Sequence, residues 1–267
     1  MLHQWIRVIG KKGAVFTDLS IKNSDDGQTW AWDYDALYIG KQFPFNNFHI
    51  WSETANTTLE DMQISIWDGI DFKPAADVLD ASSSFSTNGI VQFVPGEHDS
   101  WGRYDTEDIP ELAAGPKIFD LYWLKLDFAS AIDITTVIKQ ISYAFTDERF
   151  LPTLDNDINL YLSPLGQTSW VPQILMASMQ TAIDLKARGL IIDEGQIVQF
   201  DDFYVSAAYK TLSLIYFNLG PDFNDKREMA IKEYNNNLKT RRLTIDNDMD
   251  GRVDQSDMRN RIRQLTR

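Results

Sequence analysis

The chain has 267 residues, of which 43% are apolar and 12% aromatic, a composition that indicates a folded globular protein and argues against intrinsic disorder. Its formal net charge of −14 argues against an extended nucleic-acid interface, because such interfaces use Lys and Arg to neutralise phosphates. The absence of cysteine excludes disulfides and zinc–thiolate sites, and no apolar run approaches the ~18 residues that a membrane span requires.

Residues 34 to 146 contain short apolar segments of strand length, separated by Gly, Asn, Asp and Pro. These segments include ALYIGK, FHIWSE, GIVQFV and TTVIKQISYAF. In MQISIWDG, Met62, Ile64 and Ile66 fall on one face of a strand and Gln63, Ser65 and Trp67 on the other, and FDLYWLKLDF alternates in the same way. We therefore predict that residues 1–150 form an antiparallel β-sandwich domain.

After Pro152 the spacing of the apolar residues changes to that of helices. The segment SWVPQILMASMQTAIDLKARG predicts a helix with Ser169 as its N-cap and Gly189 at its end. In DDFYVSAAYKTLSLIYFNLG the apolar residues recur at intervals of three and four, which predicts a second helix. A third is predicted to begin at Asp225, which can cap it together with Glu228, and its predicted apolar stripe is Ala230, Ile231, Tyr234 and Leu238. Residues 151–267 are therefore predicted to be a helical bundle domain, and the fold class is α+β with two domains.

The segment DNDMDGRVDQSD, residues 246–257, has the spacing of a calcium-binding loop. Calcium prefers six to eight oxygen ligands, and a twelve-residue loop supplies them from positions 1, 3, 5, 7, 9 and 12 around a glycine at position 6. Gly251 occupies that sixth position. The predicted ligands are five aspartate side chains and one main-chain carbonyl, in chain order Asp246, Asp248, Asp250, Arg252, Asp254 and Asp257.

Position 12 of this loop departs from the EF-hand pattern, because Asp257 stands where a bidentate Glu is usual. In this respect the loop is similar to the calcium loops of dockerin and related bacterial modules. Clustered carboxylates repel one another, and a divalent cation is the simplest compensation. We predict a structural Ca²⁺ that couples the third helix to a final helix, QSDMRNRIRQL. The alternative is a solvated turn rich in Asp and Asn.

The motifs of the common catalytic sites are absent from the sequence. It contains no GxxxxGK[ST], no GxGxxG after a strand, no HExxH and no GxSxG. Its three histidines, His3, His49 and His98, include no pair at metal-ligand spacing. A carboxylate pair for glycoside hydrolysis stays open, because Asp and Glu are abundant and their separation depends on the fold. We expect a protein that is not an enzyme.

Three tryptophans in the predicted sandwich, Trp67, Trp101 and Trp123, have two interpretations. If their rings are exposed, they can stack on sugar rings and form a carbohydrate site. Strand tryptophans are more often core or subunit-contact residues.

The C-terminal end is basic, whereas the rest of the chain is acidic. Residues 239–267 contain eight Lys and Arg against five Asp. A basic end on an acidic body suggests contact with an acidic partner or with another copy of the chain, or else a solvated helix face. The predicted partner-binding residues are the last four arginines, Arg259, Arg261, Arg263 and Arg267.

Both parts of the chain resemble components of tailed phages. The segments YIGKQFPFNNFHIW, ISIWDGIDFKPAADVLDASSSF and YWLKLDF resemble galactose-binding-like jelly rolls of phage virion proteins. The segments SAAYKTLSLIYFNLG and KREMAIKEYNNNLKTRRLTID, with the aspartate loop, are similar to the helical head-to-tail adaptors of phage necks. The resemblance consists of patterns, and no catalytic residue is carried over.

The resemblance implies a virion structural protein of the neck, made in the host cytoplasm. It would form a homo-oligomeric ring, expected to be a dodecamer, that joins the portal protein to other neck or tail-completion proteins and extends the DNA channel. Genomic DNA would pass without sequence-specific binding, and no membrane is involved. Two alternatives remain: a carbohydrate-binding tail or collar protein that meets the host surface, and a glycan-active enzyme.

Overall fold

The computed structural model describes residues 6–24, 28–58, 60–95, 101–197, 201–240 and 244–246. Two antiparallel sheets in these residues are followed along the chain by several helices, which confirms the predicted combination of antiparallel strands and C-terminal helices. None of the described helices is long and apolar enough to cross a membrane.

The strands of the described residues form one sheet of six and one of five. They are β1 (Ile6–Lys12), β2 (Val15–Asp18), β3 (Trp30–Ala31), β4 (Ala36–Lys41), β5 (Asn47–Thr54), β6 (Met62–Trp67), β7 (Phe72–Pro74), β8 (Ala76–Asp80), β9 (Gly89–Val94), β10 (Tyr122–Phe128) and β11 (Val137–Ser142). The larger sheet has the order β2-β1-β4-β10-β6-β7, and the smaller has the order β3-β11-β5-β9-β8. Every pairing is antiparallel, so each sheet can bury one face and leave the other to solvent or to loops.

The alternation predicted for β6 and β10 is confirmed by their pairing and burial. Ile64 lies opposite Leu126, and Ile66 lies opposite Leu124. All four side chains are buried, whereas Gln63, which precedes Ile64, is exposed. Because side chains alternate across a strand, this register places the apolar residues of both strands on one face.

The three tryptophans that were candidates for exposed platforms are all buried, so their interpretation as core residues is confirmed. Trp67 and Trp123 belong to a cluster that also contains Ile109 and Leu112. The indole nitrogen of Trp123 donates to the carbonyl of Tyr104 at 2.9 Å. The second face of β6 and β10 is therefore covered as well, by a loop between β9 and β10.

The helices are concentrated after the last strand. The α-helices are α1 (Ser20–Ser24), α2 (Leu151–Leu154), α3 (Val171–Ala187), α4 (Asp201–Leu219) and α5 (Asn224–Thr240), and short 3₁₀ turns lie at Thr106–Asp108, Ile158–Tyr161, Ser163–Leu165, Glu194–Gln196 and Pro221–Phe223.

The ends of the long helices agree closely with the predictions from the sequence. The Ser169 hydroxyl accepts a hydrogen bond from the backbone nitrogen of Val171 at 3.1 Å, which satisfies a donor at the start of α3. Gly189 has φ of 67° just beyond the end of α3, the left-handed conformation that commonly ends a helix. Helix α5 begins at Asn224, one residue before the predicted Asp225.

The chain divides into two compact units. The first contains the described residues from Ile6 to Ser142 together with Asp246, and the second, which we call the helical unit, runs from Tyr143 to Ile245. The core of the helical unit is built from apolar residues of the long helices and of the segment before α3, including Leu151, Ile158, Trp170, Ile174, Ala208, Leu212, Ile215 and Ala230. The predicted division into domains of residues 1–150 and 151–267 stays a prediction.

Candidate functional site

A groove of about 480 Å³ runs between the three long helices of the helical unit. Helix α3 contributes polar side chains, whereas α4 and α5 each contribute both polar and apolar side chains. The lining residues are Gln180, Asp184 and Arg188 of α3, Lys210, Ser213, Leu214 and Phe217 of α4, and Arg227, Ile231, Tyr234 and Asn235 of α5.

A polar clamp joins the three helices at one part of this groove. Asp184 accepts a hydrogen bond from the Tyr234 hydroxyl at 2.6 Å and an ion pair from Lys210 at 3.3 Å. The Lys210 ammonium also lies 4.8 Å from the centre of the Tyr234 ring, within cation–π distance. Burial raises the pKa of Tyr234, and its hydrogen bond to Asp184 raises the pKa further. The phenol therefore stays protonated and donates to the carboxylate at any physiological pH.

A second contact between α3 and α5 lies beside the clamp. The Arg188 guanidinium donates to the side-chain oxygen of Asn235 at 2.6 Å. Because Asp184–Tyr234 and Arg188–Asn235 both connect α3 with α5, two walls of the groove are held at a fixed separation.

Apolar side chains are exposed to solvent in the same groove. Phe217 is 62% exposed and Ile231 is 38% exposed. The Arg227 guanidinium lies 4.8 Å from the centre of the Phe217 ring. Within the residues that the structure describes, neither Arg188 nor Arg227 forms an ion pair with a carboxylate, so the groove combines an apolar surface with two uncompensated cations.

A second clamp of the same chemical composition lies elsewhere in the helical unit. Asp155, which follows α2, accepts from the Tyr216 hydroxyl at 2.6 Å and from the Lys226 ammonium at 2.8 Å. Partial burial raises the pKa of Asp155, but the hydrogen bonds from Lys226 and Tyr216 outweigh this effect, so the net pKa lies below its usual 3.8. The hydrogen bond to Asp155 is also the main reason that the pKa of Lys226 is raised. This clamp ties the start of α5 and the end of α4 to the segment after α2.

In the first unit, a cleft of about 410 Å³ lies beside an exposed aromatic ring. Phe119 is 59% exposed and lies on a loop. The residues on either side of it, Ile118 and Asp120, are held by hydrogen bonds and an ion pair. Asp120 has φ of 59°, accepts an ion pair from Arg103 at 2.9 Å, and is followed by β10. Thr106 and Ile118 are hydrogen-bonded to each other at 2.9 and 3.0 Å. The cleft is lined by Arg7, Asp18, Gln42, Lys117, Ile118, Phe119, Asp120 and Leu121.

His49 lies in β5, as predicted, and is fully buried. Among the described residues, neither of its ring nitrogens has a hydrogen-bond partner. Burial lowers the pKa of His49 to about 3, because the charged imidazolium loses its hydration. The neutral imidazole is therefore the form that occupies the core.

The predicted calcium loop falls almost entirely outside the described residues. Asp246, its first predicted ligand, is described and is fully buried. The remaining predicted ligands, Asp248, Asp250, Arg252, Asp254 and Asp257, and the predicted partner-binding residues Arg259, Arg261, Arg263 and Arg267 lie outside the described residues. Within the described ranges, which end at residue 246, the structure contains no cluster of His, Asp and Glu that could hold a metal ion. The calcium site and the arginine contacts stay predictions.

Sequence patterns pointed to the helices but not to the groove. Ile231 and Tyr234 were both assigned to the apolar stripe of the third helix, yet Ile231 is exposed and Tyr234 is a clamp residue. One signal was available in the sequence, because Phe217 lies off the apolar stripe of its helix. The pairing of Asp184 with Tyr234 joins residues 50 positions apart and has no local signature.

Comparison with known proteins gives no assignment to a family. No protein-family model and no curated protein matches the chain. Among solved structures, CpGH89CBM32-6, produced by Clostridium perfringens, is 9% identical with a TM-score of 0.29, over 53% of this chain and 94% of that one. A family 89 glycoside hydrolase from the same organism, in complex with 2-acetamido-1,2-dideoxynojirmycin, is 12% identical with a TM-score of 0.29, over 73% of this chain and 20% of that one. These scores lie below 0.5 and assign no function to this chain.

Proposed function

We propose that this chain is a virion structural protein, a head-to-tail adaptor of a phage neck. It assembles into a ring that joins the portal to the tail and extends the DNA channel. The first unit supplies a sandwich, which we propose to be a jelly roll of the galactose-binding-like type, and the helical unit supplies the assembly surface. Ca²⁺ in the loop that begins at Asp246 completes the C-terminal part.

The observation that carries this proposal is the groove of the helical unit. Exposed apolar side chains next to uncompensated charges are typical of surfaces that bind another protein, since an isolated monomer rarely leaves such a patch uncovered. Phe217 and Ile231 supply the apolar part, and Arg188 and Arg227 supply the charge. Aromatic residues and Arg are also the types that contribute most to protein–protein binding.

The clamps favour a binding surface over a catalytic one. In each clamp a tyrosine hydroxyl and a lysine ammonium both donate to one carboxylate oxygen, Oδ2 of Asp184 or Oδ2 of Asp155. Groups that satisfy one another in this way hold helices in place and are not poised to exchange protons with a substrate. The groove walls are therefore pre-arranged, which lowers the entropic cost of binding a partner.

The acidic composition supports a channel function. A wall with net negative charge repels the phosphate backbone and lets DNA slide, whereas a basic lining would retain it. The chain carries 39 Asp and Glu against 25 Lys and Arg.

Electron microscopy of the purified wild-type protein, alone and mixed with the portal of its parent phage, tests this proposal. We expect closed rings that stack coaxially on the portal. A protein that stays monomeric at high concentration and does not bind the portal would exclude the adaptor function.

Carbohydrate binding is the second candidate, and the Phe119 cleft favours it. An aromatic ring held outward on a hydrogen-bonded loop, beside polar side chains such as Gln42 and Arg7, has the chemical features of a sugar-binding surface. A glycan array with wild-type protein and Phe119→Ala distinguishes the two functions. Binding that is lost in the variant supports a host-surface protein, and a blank array with intact rings supports the adaptor.

A further inference from the structure

The solvent-facing side of α5 carries an apolar residue between two acidic ones. Met229 is 59% exposed, Asp225 is exposed and Glu233 is half-buried. The three residues lie four positions apart, so they follow one another along the helix, with about 12 Å between the two acidic positions. We call Asp225, Met229 and Glu233 the α5 stripe. Lys232 lies at its edge, about 60° from Met229 around the helix.

The α5 stripe is not used by the packing of the helical unit. The buried residues of α5, Ala230, Tyr234 and Leu238, lie on the other side of the helix. Among the described residues, neither Asp225 nor Glu233 forms an ion pair with a cation. Both carboxylates can therefore meet the cations of a partner.

The wall that α5 contributes to the groove repeats this spacing with the opposite charge. Arg227, Ile231 and Asn235 also lie four positions apart along the helix. Arg227 supplies a cation at one end, and Asn235 holds the Arg188 guanidinium at the other end, at 2.6 Å. The residues that anchor the two cations are therefore about 12 Å apart, with Ile231 halfway between them.

The α5 stripe and the groove match in order, spacing and charge. An acid, an apolar residue and an acid stand opposite a cation, an apolar residue and a cation at the same interval, and such complementarity selects the partner and fixes the register. Methionine is unbranched and adapts to an irregular apolar surface such as Phe217 with Ile231. Met176 on α3 is exposed as well, but Pro172 and Gln180 stand four positions from it, so it lacks flanking acids.

We propose that the α5 stripe of one copy of this chain docks into the groove of the helical unit of the next copy. Met229 packs on Phe217 and Ile231, and Asp225 and Glu233 face the two groove arginines. This inference rests on the proposed function, because it supplies the contact through which the ring is built.

The contact joins two different surfaces, so it is heterologous, and heterologous contacts generate rings when the rotation between copies closes. Met229 and Ile231 are two positions apart, about 200° around the helix, so the two surfaces lie on roughly opposite sides of α5. Each copy can therefore contact one neighbour through its stripe and another through its groove.

A charge exchange between two variants tests the pairing. One variant carries Asp225→Lys and Glu233→Lys, and the other carries Arg188→Glu and Arg227→Glu. None of the four side chains is buried, so both variants should fold normally by circular dichroism. In each variant alone the stripe and the groove have the same charge, and we expect self-association at least tenfold weaker than in wild type by analytical ultracentrifugation. In an equimolar mixture every stripe meets a groove of opposite charge, and assemblies that contain both variants in equal number should form.

Met229→Gln tests the apolar part of the contact and has a matched control. Glutamine is similar in length to methionine and is also a good helix former, so the change removes mainly the apolar contact. We expect Met229→Gln to weaken self-association at least tenfold, whereas Met176→Gln, at the exposed methionine of α3, should associate like wild type. Equal weakening in the two variants contradicts the proposed contact.

Cross-linking in the cysteine-free chain provides a measurement that does not depend on charged variants. A copy with Met229→Cys and a copy with Phe217→Cys should be joined by a short bismaleimide. The control pairs Met176→Cys with Phe217→Cys and should give no product. Cross-linking of the control pair as strongly as of the test pair contradicts the pairing.

The outcomes separate this inference from the proposed function. If the charge variants and Met229→Gln still form wild-type rings on the portal, the α5 stripe is not the contact, and the adaptor function stands. If the charge variants assemble only as a mixture and the test pair cross-links, but wild-type protein forms open filaments without binding the portal, the contact stands and the adaptor function fails. A wild-type protein that does not self-associate, with a test pair that does not cross-link, overturns both.

Discussion

The stability of the first unit should depend on pH through His49. This residue lies between two strands of its sheet, opposite Ile90 on β9 and Ser142 on β11. Its imidazole is fully buried and has no hydrogen-bond partner among the described residues. Burial lowers the pKa of His49 from 6.5 to about 3. The folded protein therefore excludes a proton that the unfolded chain accepts.

The direction and the size of the effect follow from this difference. Between pH 6.5 and about 3 the unfolded state binds more protons than the folded state, so stability falls as the pH falls. Above pH 6.5 both states are neutral at His49 and the effect disappears. Each pH unit within the window costs about 1.4 kcal/mol, so a change from pH 7.5 to pH 5 should cost about 2 kcal/mol.

Replacement of His49 by Leu removes this titration and keeps an apolar side chain of similar size. Urea unfolding of both proteins at pH 7.5 and pH 5 gives four free energies of unfolding. We expect wild type to lose about 2 kcal/mol more than His49→Leu over this change, because the other titrating groups contribute equally to both proteins. Equal losses in the two proteins would refute the argument that a neutral, unsolvated imidazole occupies the core.

Three further predictions concern other parts of the chain. Asp155→Asn should destabilise the helical unit by about 1–3 kcal/mol in urea unfolding, because its tyrosine and lysine donors lose an ionised acceptor, whereas the exposed control Asp157→Asn should cost much less. Gly89→Ala should lower the melting temperature by an amount that corresponds to about 1–3 kcal/mol, since the added Cβ would lie 2.5 Å from the backbone carbonyl oxygen of Ala81, and an unchanged melt would show that this close approach relaxes freely. Calcium at about 100 times its dissociation constant should add about 2.7 kcal/mol of stability, and Asp246→Ala should abolish the gain; calorimetry without a binding signal at millimolar calcium excludes the loop.

The strands and helices were largely predictable because their signals are local. Alternation over six residues located β6, and the apolar periodicity with Ser169 and Gly189 located α3. The strand β1 was not predicted. It is held in the sheet by pairing with β4, about 30 positions away, as in the register of Ile9 with Tyr38. Such pairing is decided by tertiary contacts that no short window of sequence contains.

Alternation also indicates which residues share a face of a strand, but not what covers that face. Trp67 was correctly placed opposite Ile64 and Ile66 on β6, and a solvent-facing platform was one interpretation of that position. It is buried because Ile109 and Leu112, from a loop more than 40 residues later, pack in the same cluster. A strand that is covered on both faces can therefore look half-exposed in its sequence.

The groove illustrates the same difficulty for function. Its apolar residues lie on helices whose periodicity was recognised, yet the contacts that tie its walls together join Asp184, Lys210 and Tyr234, which lie on three different helices. Ion pairs of this kind contribute little net stability, because the desolvation of both charges offsets most of their attraction. Their larger effect is geometric, since a carboxylate that accepts from two helices at once fixes the spacing between them. A partner bound in the groove, as we propose, would then meet walls that are already in place, so the clamp of Asp184, Lys210 and Tyr234 would serve the proposed binding surface as well as the fold.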